Sequence, residues 1–425
     1  MTPEFLAQGA CAAVLRALPG ARAVGGAVRD FLAGRAIHDV DVAVPLPPDE
    51  VSRLLRSAGL KVFETGLKHG TVTAVLNREP VEVTSLRRDV ATDGRHAEVE
   101  WIADWREDAA RRDFTINAMS MGLDGAVHDF FGGRDDLAAG RVRFVGDARA
   151  RLAEDYLRAL RFFRFWARYG RGAPDETAVA AIRDAVPGLA KLSVERVWME
   201  IKRLLEAPDP TKALILMEET GVLGATLPHG MDTTAIATLN DIGAPADILL
   251  RFAAISRAIH PLNILIPTTE KPYPMSAAEL ALLTYLHEAR QPHPTQEDAR
   301  VWLPSMDEDS LRTERARFAL GYPETPAKQV PMLRTWLAQA FPEDMGYPVF
   351  PPDSWAELRR RISATRAPEF PLQGSDVVAL GLPPGILVGR TLQEARVWWL
   401  SQKARPGRLE ALEKLRQLVS QRLGC

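Results

Sequence analysis

A chain of 425 residues is longer than one ordinary domain and points to two or more. Its 46% hydrophobic and 25% charged composition excludes wholesale disorder and a collagen-like fibre, and no apolar run approaches the roughly 18 residues of a membrane-spanning helix. The two cysteines, Cys11 and Cys425, exclude a disulfide scaffold and a multi-cysteine zinc site, while a formal net charge of -2 gives no global basicity for nucleic acid.

From about Arg22 to Phe131, short β-type runs alternate with helical stretches such as Asp49–Ala58. The runs are Ala21–Val24, Val40–Val44, Thr71–Leu76, Val81–Leu86 and Val127–Phe131. The first run ends on Gly25-Gly26 and leads into Val28-Arg29-Asp30. Two glycines between strand and helix let backbone N–H groups approach a phosphate, although by itself the pair also fits a plain tight turn. Next comes His38-Asp39-Val40-Asp41-Val42-Ala43-Val44. Strand alternation puts Asp39 and Asp41 on one face and the valines on the other. Two carboxylates so close repel unless a cation sits between them, and their hard oxygens suit Mg²⁺ shared with a phosphate-bearing substrate. Glu82, on the run Val81–Leu86, is a third candidate as metal ligand or base, or an ordinary outward glutamate. In Arg111-Arg112-Asp113-Phe114-Thr115-Ile116-Asn117-Ala118-Met119 the arginines suit phosphate oxygens, and Asp113 and Asn117 suit a ribose hydroxyl or phosphate.

Beyond about Asp147 strand signals nearly vanish and helical patterns follow one another: Asp147–Arg168, Asp175–Ala185, Ser193–Glu206, Pro210–Thr220, Ala277–Ala289, Pro331–Ala340 and Leu409–Leu423. Within the first, Asp155, Arg158, Arg161 and Arg164 recur every three residues and predict one charged ridge, with Leu157, Leu160 and Phe163 packing on the other side.

The joint order of these motifs resembles the class II CCA tRNA nucleotidyltransferase and bacterial poly(A) polymerase family. It runs from Gly-Gly-x-Val-Arg-Asp through Asp-x-Asp, Glu-x-Thr-x-x-Arg, Arg-Arg-Asp-Phe-Thr-Ile-Asn-Ala-Met and Asp-Phe-Phe-Gly-Gly to Glu-Asp-x-x-Arg-x-x-Arg-x-x-Arg-Phe. The likeness is near-continuous from Val24 to Leu205 and ends on Leu192-Ser193-Val194-Glu195-Arg196-Val197-Trp198, similar to the family's neck motif. Pro371–Val378 and Gly381–Arg390 look like the tail of many bacterial CCA-adding enzymes. The resemblance implies an α+β fold: a polymerase-β-like head with a small mixed sheet at 1–138, a helical neck selecting the nucleotide at 139–206, and a helical, tRNA-binding body and tail at 207–425.

It further implies metal-binding aspartates at Asp39 and Asp41, with nucleotide contacts at Gly25, Gly26, Arg29, Arg112, Asp113 and Asn117. Base-reading and neck contacts fall on Asp155, Arg158, Arg161 and Arg164. The implied reaction is two-metal, Mg²⁺-dependent in-line attack of a tRNA 3′-hydroxyl on the α-phosphate of CTP or ATP, with release of pyrophosphate. Cytosine and adenine both present an amine donor beside a ring-nitrogen acceptor, which a carboxylate and a guanidinium complement; uracil and guanine present the reverse. One segment departs from the family pattern: Gly94-Arg95-His96-Ala97 lacks the proline common in its flexible loop, which the family uses in switching from C to A addition. The competing readings are a poly(A) polymerase, a CC-only or A-only enzyme and, from another class, an inactive RNA-binding module. Arg359–Arg361 and Arg405–Arg422 are the expected RNA-facing runs, or else solvated helix faces. The start Met1-Thr2-Pro3-Glu4 lacks a basic signal segment, which makes the cytoplasm the expected compartment, and no membrane partner is expected.

Overall fold

The computed structural model describes residues 3–37, 39–67, 70–92, 97–227, 231–256, 273–288, 303–321, 329–342 and 349–423. Gly94-Arg95-His96 of the expected loop, and His38, lie outside them. The chain divides into two compact units, Met1–His229 with Ile266–Tyr273, and Gly230–Leu265 with Pro274–Cys425.

The first unit is built on a seven-stranded sheet of order β3-β4-β5-β2-β1-β8-β9. Its strands are β1 (Arg22–Val24), β2 (Asp41–Val44), β3 (Lys61–Gly66), β4 (Thr71–Leu76), β5 (Glu79–Ser85), β8 (Ser120–Met121) and β9 (Val127–His128). Only β2 and β5 run parallel; the other neighbours are antiparallel. Alternation works as the sequence indicates: Val72 and Ala74 of β4 and Val81, Val83 and Ser85 of β5 are buried, while Glu82 is exposed. In the central β2, Val42, Ala43 and Val44 are all buried, which leaves only the leading residue, Asp41, in solvent. Helices α2 (Gly9–Ala17) and α4 (Pro48–Ser57) pack against β3, β4 and β5, whereas α3 (Gly26–Leu32) lies against β1.

Several elements were not legible beforehand. β3 mixes Lys61, Glu64 and Thr65 at a sheet edge, and β8 is only two residues long. β6 (Arg87–Thr92) and β7 (Ala97–Trp101) form a separate ribbon, registered in part by the cross-strand pair Arg88–Glu100 at 2.6 Å. Such a charged pair leaves no apolar alternation to read. The expected strand to Phe131 ends at His128, because the Asp129 carboxylate accepts from the N–H groups of Phe131, Gly133 and Arg134 and turns the chain into α6 (Gly133–Ala139).

Helices follow: α7 (Ala148–Glu154), α8 (Leu157–Tyr169), α9 (Glu176–Ala185), α10 (Val194–Leu205) and α11 (Thr211–Glu219). Asp147 and Asp175 cap α7 and α9, each accepting at 2.8 Å from the N–H three residues on. The single helix expected over Asp147–Arg168 is in fact two. Asp155 leaves helical geometry at φ -156, and its carboxylate accepts from the Leu157 N–H at 3.1 Å, starting α8 afresh. Asp155 therefore stands before the arginine ridge and is not a member of it.

Sheet and helices are joined by aromatic packing. Phe114 meets Phe144, Phe162 and Phe165 with ring centroids 4.9 to 6.3 Å apart, and Phe162 stacks on Phe144. The described residues of the second unit are helical throughout. A C-terminal core of Leu372, Val377, Leu392, Leu415 and Val419 closes under a capping box of Gln373 with Asp376. No described helix is long and apolar enough to cross a membrane.

Phe162 is fully buried at this junction, so Phe162→Ala is expected to cost about 3–5 kcal/mol. Urea unfolding followed by near-UV circular dichroism should show the midpoint falling with little change in slope.

Candidate active site

Three strands bring the candidate groups together. Val24, the last residue of β1, pairs with Asp41, the first of β2. On the other side Val42 pairs in parallel with Val83, which sets Asp41 beside Glu82. The glycine turn, Asp41 and Glu82 thus lie side by side on the three central strands, toward one end of them, with Asp39 two residues upstream. Asp41 is open to water at the start of β2, yet the surrounding protein removes much of its hydration. Its pKa is raised, first by that desolvation and then by Glu82, with Asp39 adding to the effect and Arg112 opposing it. Crowded oxygen donors whose charges are not balanced by protein are the chemistry that fits a hard divalent cation. Among the described residues no preassembled cluster of three or more metal-ligating side chains occurs, so a cation held at the aspartates needs oxygens from water or substrate.

Gly25 adopts φ 63, and a Cβ there would lie 3.2 Å from Arg112 Nη1, so this position takes glycine for conformation and for space. The Gly25 N–H donates to Met119 O at 3.3 Å. The amides that follow open α3 and have no helical acceptor. Arg112 donates to Asp108 Oδ2 at 3.2 Å and lies near Asn117 O at 3.4 Å, while Arg111 donates twice to Asp108 Oδ1. Burial alone would raise the Asp108 pKa, but the two arginines overcome it and hold the carboxyl below its ordinary value.

Other expected contacts are taken up by one another. Arg29, buried against Phe165 and Tyr169, donates to both oxygens of Asp30 at 3.1 Å and to Asn117 Oδ1 at 2.6 Å. Asn117 Nδ2 donates to Asp113 Oδ1 at 2.9 Å, and Arg161 Nε donates to Asp113 Oδ2 at 2.7 Å. Arg161 continues to Glu200 at 3.8 Å, and Arg164 forms an ion pair with Glu200 at 3.0 Å without aligning an N–H on it. Against the penalty of burial, Arg161 and Asn117 hold Asp113 below the carboxylate range; the Arg161 pKa rises correspondingly. Desolvation outweighs Glu200 at Arg164, whose pKa falls to about 10. Thr115 is fixed by Asp136, at 2.7 Å, and Gly133 packs so closely on Thr115 that a Cβ would come within 2.1 Å of its carbonyl.

Asp155 and Arg158 do not bond each other. Asp155 accepts from Arg196 Nη2 at 2.7 Å, whereas Arg158 donates to Glu154 and to the Arg151 carbonyl, the latter at 2.9 Å. Arg196 and Glu200 lie on α10, Glu154 closes α7, and none was singled out as a site residue from sequence. Their signal was the neck motif and the residue preceding Asp155. In the second unit the arginine runs are largely engaged. Arg359 covers the Trp336 ring at 3.5 Å, and Arg360, Arg361, Arg405, Arg408 and Arg422 pair with Glu357, Glu308, Asp309, Asp376 and Glu394.

Residues 21–143 match the Poly A polymerase head domain, and residues 173–232 match the probable RNA- and SrmB-binding site of polymerase A. The chain is 34% identical over 407 residues to the mitochondrial CCA tRNA nucleotidyltransferase 1 of Danio rerio, covering 93% of this chain and 87% of the relative. It is 42% identical over 201 residues to a CCA-adding enzyme of Geobacillus sp. strain WCH70, 47% of this chain and 48% of that one. The crystal structure of the Bacillus stearothermophilus CCA-adding enzyme in complex with CTP superposes with a TM-score of 0.70 at 26% identity, covering all of both chains.

Asp113 titrates below the ordinary carboxyl value of 3.8, so the stability it confers is complete above that pH and is lost as pH falls through the lower, folded value. Asp113→Ala should cost about 3–5 kcal/mol at pH 7 by leaving Arg161 half paired. Its thermal unfolding should also depend less on pH than the wild type's below about pH 4.

Proposed function

This chain belongs to the family of CCA tRNA nucleotidyltransferases and bacterial poly(A) polymerases, and from that premise we propose that it adds C and A residues from CTP and ATP to tRNA 3′ ends without a nucleic-acid template. The observation that carries the reading is the convergence of Asp41, the Gly25-Gly26 turn, Glu82 and Arg112 at one end of the central strands beside the neck. In this reading residues 1–138 form the catalytic head, 139–206 the nucleotide-selecting neck and 207–425 the tRNA-binding body and tail. Working in the cytoplasm, the enzyme would meet its tRNA and nucleotides directly.

The family uses a divalent metal, Mg²⁺ in our reading, which when bound lowers the pKa of the RNA 3′-hydroxyl and offsets charge on the leaving pyrophosphate. Asp39 and Asp41 would hold it, with Glu82 adding negative potential or a further oxygen. Arg112, retained near Gly25 by Asp108, supplies positive charge for the triphosphate, and the turn admits a phosphate close to the first amides of α3. Arg29, Asp113, Asn117, Arg161 and Arg164 act mainly by holding this turn and the neck in register.

Nucleotide choice rests on Asp155 and Arg158. The Asp155 carboxylate has lone pairs beyond those used by Arg196 and Leu157, enough to accept from the exocyclic amine of cytosine or adenine. Arg158, positioned by Glu154, offers its donors to the neighbouring ring nitrogen. A carbonyl at that edge, as in uracil or guanine, would face Asp155 acceptor to acceptor. The match to a Poly A polymerase head domain favours poly(A) addition as the second reading. Incubating tRNA that ends before, within or after CC with single nucleotides separates the two. Stepwise C, C, A addition is expected, and a long A-only ladder would replace our reading with the second.

Asp39→Asn and Asp41→Asn should abolish incorporation while sparing tRNA binding in a filter assay. Because the Asp41 charge is disfavoured in the folded state above its raised pKa, Asp41→Asn should also raise the metal-free melting temperature at pH 7. Near-normal turnover in either variant would remove the metal proposal.

Asp155→Ala should let UTP and GTP gain about tenfold to a hundredfold in relative kcat/KM against CTP and ATP while total rate falls. Equal loss for all four would make Asp155 a support of the neck alone.

A further inference from the structure

A cavity of about 510 Å³ opens where the C-terminal end of α3, the helix α6 and the C-terminal end of α8 meet. Its wall carries Arg35, Arg134, Arg168 and Arg171 and, among the described residues, no carboxylate. Arg35 is fixed: it donates to the Arg168 carbonyl at 2.6 Å and lies 4.9 Å over the ring of Tyr169. On Tyr169, Arg29 lies 4.6 Å from the same ring and leads to Asn117, so one buried aromatic side chain separates the cavity from the network behind the candidate active site. The guanidinium groups of Arg134, Arg168 and Arg171 are exposed and have no carboxylate partner among the described residues.

Helix electrostatics explains Arg168, since a cation is favoured in the last turn of α8, but it does not explain Arg134. Arg134 lies in the first turn of α6, where a cation is unfavourable and where Asp135 and Asp136 supply the favourable sign. The backbone of Arg171 is pinned by its N–H to Gly140 O at 2.8 Å, at the end of that same helix. Four arginines thus line one cavity, Arg134 and Arg168 from helices, Arg35 through its side-chain bond and Arg171 through its pinned backbone. The arginines of the second unit's expected RNA-facing runs, by contrast, are mostly neutralised by neighbouring acids.

We propose that this arginine cavity binds successive backbone phosphates of the RNA substrate, a few nucleotides back from the reacting 3′ end. Arg35 precedes Asp41 by only six residues, so even a fully extended chain keeps the two within about 20 Å. About 20 Å is the reach of a few nucleotides, so phosphates close behind the reacting 3′ end can reach the cavity. Three exposed guanidiniums, each a weak contact, suit a polymer that supplies several phosphates at once. The wall has no exposed aromatic ring for stacking a base, which disfavours a free nucleotide.

The proposal rests on the reading that the chain acts on tRNA, and the experiment separates the two. Arg134→Gln, Arg168→Gln and Arg171→Gln are combined in the full chain, with folding checked by circular dichroism, and tRNA binding is titrated from 50 to 200 mM salt. The slope of log K against log salt should become shallower by about 2, from roughly 0.7–0.9 per lost phosphate contact. The KM for tRNA should rise about tenfold while the KM for CTP stays put. An unchanged slope and an unchanged KM for tRNA would overturn the assignment. Inorganic tripolyphosphate protecting the wild type but not the triple variant from thermal unfolding, with tRNA binding equal in both, would also overturn it in favour of a free-anion site. Failure of the wild-type chain itself to bind or extend tRNA would instead bring down the functional reading on which the proposal stands. Should the triple variant misfold, Arg168→Glu alone must still weaken tRNA binding and flatten the slope, or the proposal is wrong.

Discussion

A line of buried polar contacts, from Asp30 through Arg29, Asn117, Asp113 and Arg161 to Glu200, ties the sheet domain to the helices that follow it. It begins on α3, directly behind the glycine turn, and ends on α10. Each member is oriented by the next, so the turn and α8 are held in one geometry. Buried ion pairs are a weak source of net stability, because desolvation offsets most of their attraction. What they supply here is register: a guanidinium taken from water must find its carboxylate, and only one docking of head on neck satisfies all of them.

The same constraint explains why the candidate site is divided. Residues behind the turn spend their hydrogen bonds on each other, while Asp41 in front of it faces Glu82 and Asp39 with Arg112 as the opposing charge. Asp41 remains exposed beside Glu82 and Asp39, whose repulsion and the local desolvation outweigh Arg112. Asp155 stands at a helix break, where its carboxylate is steadied by Arg196 from a different helix. Stability is thus concentrated in the frame, and unbalanced charge at the exposed ends of the central strands.

Arginine shows the same split between frame and surface. The chain carries many arginines at a net charge of -2, and most that are described close to an acid partner are structural. The group around Arg134, Arg168 and Arg171 differs by lacking such partners in a concave setting. Pairing, more than local density along the chain, distinguishes a surface that awaits phosphate from one already neutralised.

By itself the sequence determined the class of fold, the strands of the sheet's centre and most helices, because these are written in local periodicity: Val42 and Val44, Val72 and Ala74, and the caps Asp147 and Asp175. It also marked which residues to look for at the site, since motif order survives without coordinates, but not which of them are spent on one another. The tertiary structure alone decided the pairing. The ribbon of β6 and β7, marked by the Arg88–Glu100 pair, has no apolar alternation to read. The break at Asp155 was hidden in a continuous helical pattern, because an aspartate that accepts its own chain's N–H looks, in sequence, like any helix residue. That Arg158 reaches Glu154 and Asp155 reaches Arg196, and that Arg134 and Arg171 converge across 37 residues, depends on long-range packing, which no local pattern encodes.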